Sequence, residues 1–118
     1  MLPKAERLSR DREIKAVLRS RQYQSNNTLL RLTASDSQQT ASRLVVVTPG
    51  KIGNAVTRNR LRRVFMAAYS KIKHKIAKNV DIVLFPRPAA IGKSVDLVAD
   101  CLLSDLARQR IVDNVKTT

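Results

Sequence analysis

Lys51-Ile52-Gly53-Asn54-Ala55-Val56-Thr57-Arg58-Asn59-Arg60-Leu61-Arg62-Arg63 is the stretch on which the reading of this chain turns. It follows a Pro49-Gly50 break and enters a periodic segment in which Leu61, Val64, Phe65, Ala68, Ile72 and Ile76 recur three or four residues apart. That spacing predicts one long helix from about Ala55 to Lys78, with an apolar stripe about 140° wide. Asn54 is a good N-cap for it, and Gly53 gives the backbone latitude to turn into it. Asn59 and Arg63 then project opposite the stripe, with Arg58 and Arg62 flanking it, so the basic groups face outward. The amides of a first helical turn bind anions, which makes this segment a candidate phosphate seat. Four arginines within six positions add to it, because a guanidinium offers phosphate two parallel hydrogen bonds and an ammonium does not. Arg58 and Arg60 also oppose the helix dipole at about 0.3 to 1 kcal/mol each, which points to a role other than stability. The bland alternative is a merely solvated basic helix face.

On the N-terminal side, Leu8, Ile14, Val17 and Leu18 lie among charges, and Asp11 and Glu13 suit a first helical turn, so a helix is expected over about 10 to 20. Ser25-Asn26-Asn27 reads as a turn, Thr28 to Ala34 as a strand, Asp36-Ser37-Gln38-Gln39 as a hairpin loop, and Arg43 to Thr48 as a strand buried on both faces. On the C-terminal side, Val80 to Phe85 is another buried-strand candidate, closed by Pro86-Arg87-Pro88. A last helix begins near Ser94, with Val95, Val98, Leu102 and Leu106 on one face and Asp96 and Asp100 on the other. The order is helix, two or more strands, helix, strand, helix, and the fold class is α+β with an antiparallel-rich sheet.

At 118 residues the chain suits a single domain, 1 to 118. Its charge is the outlying property: 23 Lys and Arg against 9 Asp and Glu give a formal net charge of +14. Residues 37 to 80 hold ten basic side chains and no acid. Scattered lysines can be mere solubility devices, but acid-free clustering points to a polyanionic partner. No apolar run approaches the roughly 20 residues of a membrane span, and the N-terminus lacks an apolar signal core. With a lone Cys101 unable to close an internal disulfide, the expectation is a cytoplasmic protein.

The Lys51 to Arg63 segment resembles the signature of the protein subunit of bacterial ribonuclease P, in which Lys-x-Gly-x-Ala-Val leads into Arg-Asn-Arg and further basic residues. Arg7-Leu8 before a helix is similar to that family's start. Asp81-Ile82-Val83-Leu84 with Arg87-Pro88-Ala89 is similar to its last strand and exit, so the likeness covers roughly 7 to 110. The resemblance implies the order α-β-β-β-α-β-α with a left-handed crossover, and hence a further short strand near Tyr23. It implies that Lys51, Asn54, Arg58, Asn59, Arg60, Arg62 and Arg63 face a catalytic RNA. It also implies a cleft of sheet and first helix, with Ile14 and Leu18, for the single-stranded 5′ leader of precursor tRNA. Cleavage would then belong to the RNA and to magnesium held by it, with no catalytic residue in the protein. Two departures stand out: Pro49-Gly50-Lys51 replaces a Ser-Lys-Lys-like triplet, and Ile14 and Leu18 stand where the family often has aromatics. Without the rings, leader affinity should rest more on phosphate contacts; alternatively, Ile14 and Leu18 are core residues beneath the helix.

Other residues carry little chemistry. His74 lies among lysines and reads as solvated, and Cys101 as a small buried hydrophobe. One Cys and one His cannot make a four-ligand zinc site, and no Gly-Lys-Ser/Thr follows Gly53. The carboxylates are scattered, which disfavours a protein-only nuclease. A structural RNA-binding protein of the ribosomal type is the rival reading.

Overall fold

A computed structural model describes residues 2–112. Its elements run α1 (Asp11–Ser20), β1 (Tyr23–Asn26), β2 (Leu30–Asp36), β3 (Arg43–Val46), α2 (Ala55–Ile72), β4 (Val80–Pro86) and α3 (Val95–Arg108). The strands form one sheet in the order β1-β2-β4-β3. β1 and β4 both pair antiparallel with β2, whereas β3 and β4 are parallel and joined through α2. This is the α+β order expected, and β1 is the strand near Tyr23 that the resemblance implies.

Alternation along the strands divides the sheet into two faces. Leu30, Leu32, Ala34, Leu44, Val46, Ile82 and Leu84 pack against Leu61, Phe65, Ala68 and Ile72 of α2 and Val98, Leu102 and Leu106 of α3. The opposite face carries a smaller cluster of Leu8, Val17 and Val83, with Ile14, Leu18, Val45, Val47 and Phe85 partly buried around it. Helix α1 therefore covers only part of that face.

Three local expectations are corrected. No hairpin joins β2 to β3 across residues 36 to 39, because β4 inserts between the two strands and pairs with both. Ser25 and Asn26 belong to β1 rather than to a turn, and the turn comes at Asn27, whose Oδ1 accepts from the amides of Leu29 and Leu30 at 2.7 and 3.0 Å. Helix α2 stops at Ile72 rather than Lys78, giving way to a 3₁₀ turn over Lys73–Lys75. Beyond it Ile76 pairs with Val112, and the Ala77 amide donates to the Ile111 carbonyl at 2.8 Å, which a continued helix would forbid.

Candidate nucleic-acid interface

At the start of α2, the Asn54 side chain accepts from the Thr57 amide at 2.9 Å, the expected N-cap. A Cβ at Gly53 would lie 3.0 Å from Thr57 Cβ and Cγ2, so any side chain there would press on that of Thr57. The arginines of the helix start divide into two pairs. Arg58 Nη1 donates to the Gly53 carbonyl at 2.8 Å, and Arg62 Nη1 donates to Thr48 Oγ1 at 2.5 Å while Nη2 donates to Asn59. Both are half-buried. Arg60 and Arg63 are exposed, as are Lys51 and Asn59. Among the described residues none of these cations is in an ion pair.

A second basic surface crosses the sheet face beside α1. A groove of about 470 Å³ is lined by Lys15, Leu18, Arg19, Arg21, Gln24, Arg31 and Thr33. Arg31 also borders an adjoining hollow of about 270 Å³, with Pro49, Lys51, Ile52, Phe85, Pro86, Arg87 and Pro88. The two meet at Arg31 and are taken together as a trough from the C-terminal half of α1 to Lys51; no carboxylate lines either part. On its floor the Arg31 guanidinium lies 4.2 Å from the centroid of the Phe85 ring, across the Arg31–Phe85 pairing of β2 and β4. Arg87 Nε donates to Asn26 Oδ1 at 3.0 Å. Arg21, which ends α1, holds a left-handed backbone at φ 48°, a conformation that L-residues seldom adopt.

The wall of the trough is fixed by an ion cluster. Arg43 Nε and Nη2 donate to both oxygens of Asp81 at 2.9 and 2.8 Å, and Nη1 donates to Glu13 Oε1 at 3.1 Å. These carboxylates, Asp81 foremost, hold the guanidinium pKa above its ordinary value, so the clasp between α1 and the sheet persists at any physiological pH.

Leu18 lies on the trough wall. Ile14, one turn earlier, is half-buried against the Leu8, Val17 and Val83 cluster and is not part of the lining. Sequence reasoning passed over Lys15, Arg19, Arg21, Arg31, Phe85 and Arg87. For Arg31 a signal existed, since the alternation Leu30-Arg31-Leu32-Thr33 puts it on the face opposite the core. His74 is exposed, and Cys101 is half-buried, its thiol pKa raised by burial and by the nearby Asp105 and Asp100, against nucleophilic use. Among the described residues no three His, Cys, Asp or Glu side chains gather as a metal site would require, and no helix is long and apolar enough to cross a membrane.

The fold and its surfaces define a small α+β protein with an acid-free trough on one sheet face and an arginine-rich helix start at the trough's end. A family model described as Ribonuclease P matches residues 2–109. The chain belongs to the ribonuclease P protein family. It is 28% identical to the ribonuclease P protein component of Enterococcus faecalis over 95% of both chains. It is 31% identical to that of Exiguobacterium sibiricum over 86% of this chain and 87% of the other. The solved structure of the RNase P protein from Thermotoga maritima superposes with a TM-score of 0.77 at 27% identity, covering 87% of this chain and 96% of that one. The Staphylococcus aureus RNase P protein shares the fold, with a TM-score of 0.79 at 20% identity over 93% of this chain and all of that one.

Proposed function

We propose that this chain is the protein component of a ribonuclease P ribonucleoprotein, and that it binds the catalytic RNA and the 5′ leader of precursor tRNA. The observation that carries the reading is the pair of concavities that share Arg31 and reach from α1 to Lys51, four residues before α2, lined by cations and by no carboxylate. Lys51, Asn54, Asn59, Arg60 and Arg63 meet the catalytic RNA directly, and Arg58 and Arg62 shape the surface on which they stand. The leader lies along Lys15, Leu18, Arg19, Arg21 and Arg31, its phosphates neutralised by the cations. The Arg31–Phe85 pair supplies a flat surface for a base, which the aliphatic residues of α1 do not. In this reading magnesium is held by the RNA rather than by a protein site. The protein's contribution is to screen phosphate repulsion and position the leader, while the bond is broken at the RNA.

Reconstitution tests this. Precursor-tRNA cleavage by the ribonuclease P RNA at moderate magnesium should rise sharply when the chain is added, and the complex should bind precursor more tightly than mature tRNA. A chain that binds RNA yet changes neither cleavage nor that discrimination would instead be a structural RNA-binding protein. Cleavage by the protein without RNA would make it a nuclease in its own right.

A further inference from the structure

A third concave surface shares no lining residue with the trough. It lies between the first turns of α2 and the loop that follows β4, and encloses about 300 Å³. Val56 and Ile91 flank it, 67% and 45% exposed, two of the three large apolar side chains most open to solvent among the described residues. Leu61, Val64 and Ala90 also line it, and its only charged groups are Arg60 and Lys93. Ile91 is not held out by a slack loop: its amide donates to the Pro88 carbonyl at 3.1 Å, and that of Lys93 to the Ala90 carbonyl at 3.0 Å. Gly92, at φ +82°, makes the turn between them.

We propose that this groove receives an unstacked base of the RNA partner, with the adjoining phosphates on Arg60 and Lys93; the inference rests on the ribonuclease P reading above. Apolar walls with exclusively cationic charges suit a ligand that is flat and apolar in its body and anionic along its chain, which describes a nucleotide better than an acidic peptide or a second copy of this +14 chain. In this arrangement the α2 start touches RNA from two sides, with Lys51 toward the trough and Arg60 toward the groove.

The test pairs Val56→Ser with Ile91→Ser, both exposed positions, and measures binding to the transcribed ribonuclease P RNA across a salt series. Affinity should fall on the order of tenfold while the slope against log salt stays unchanged, because no phosphate contact is lost. Arg60→Ala with Lys93→Ala should reduce both affinity and slope. Wild-type affinity in the serine variant overturns the groove assignment while leaving the functional reading intact, whereas failure of the unmodified chain to bind this RNA overturns both. Loss of self-association with unchanged RNA affinity would make the groove a contact between copies and equally overturn it. Photocrosslinking of the unmodified protein to thiouridine-substituted RNA reads the same point without a variant. A crosslink on the peptide bearing Ile91 is expected, and crosslinks confined to trough peptides would refute the proposal.

Discussion

The four arginines of the α2 start are alike in sequence and unlike in circumstance. Arg58 and Arg62 spend hydrogen bonds on Gly53 and Thr48, whereas Arg60 and Arg63 stand in solvent. Arg58→Ala should therefore be close to neutral in stability, since a hydrogen bond of about 1 kcal/mol is lost as a dipole penalty of similar size is relieved. Arg60→Ala with Arg63→Ala should leave the melt unchanged or slightly raised and flatten the log–log salt slope of RNA binding by about 0.7 to 0.9 per lost phosphate contact. Titrations at several salt concentrations and a thermal melt of each variant check both. Arg21 presents the reverse balance. Its left-handed backbone would suit glycine, so Arg21→Gly should raise stability by up to about 1 kcal/mol while removing a trough cation and weakening leader binding. Denaturant unfolding beside precursor-tRNA affinity would show the two quantities moving in opposite directions.

At the level of the elements, α1 is the informative one. Ile14 and Leu18 look equivalent in sequence, one turn apart on the same apolar stripe, and both pack on the minor cluster, yet only Leu18 also borders the trough. Leu18→Phe should be accepted and should improve discrimination of precursor from mature tRNA, by giving a base a ring to lie on. Ile14→Phe should cost about 1 to 3 kcal/mol through overpacking, read as a lowered melting midpoint with no gain in discrimination. The helices and the apolar strands were legible in the sequence because each carries its own period: the α2 stripe, the Ser94 cap, the runs at 44 to 47 and 80 to 85. Strand β1 was not, since Tyr-Gln-Ser-Asn brings only the Tyr23 ring to the core and pairs on one side only, with β2. The expected hairpin failed because adjacency in sequence says nothing of a strand that comes after the whole of α2 and slips between, as β4 does. The helix-start residues of the candidate interface could be named in advance. The trough could not, because Arg31 meets Phe85 only through the β2–β4 register.

For the whole molecule the net charge of +14 is the governing quantity, and the structure ties four of the nine acids, Glu6, Glu13, Asp81 and Asp105, into ion pairs in which the carboxylate is at least partly buried. Sulfate or phosphate bound only by the folded form should then raise the melting midpoint, by about 4 °C or more at an anion concentration ten times its Kd. Thermal melts against chloride of equal ionic strength separate specific seating from general screening, and equal midpoints in the two salts would count against an anion seat. The position of β4 has a further consequence, for the order in which a ribosome delivers this chain. The strand at the centre of the sheet is the last of the four to be synthesised, so until Val80 to Pro86 has emerged β3 has no strand to pair with and β2 has only the short, polar β1. A nascent chain ending before that point lacks both β4 and α3, so Leu30, Leu32, Leu44 and Val46 have only α2 to pack against, on a chain that already carries most of the cations. Folding of this protein during translation is thus a late, nearly all-at-once event, and the unfinished chain is the form most in need of protection from aggregation.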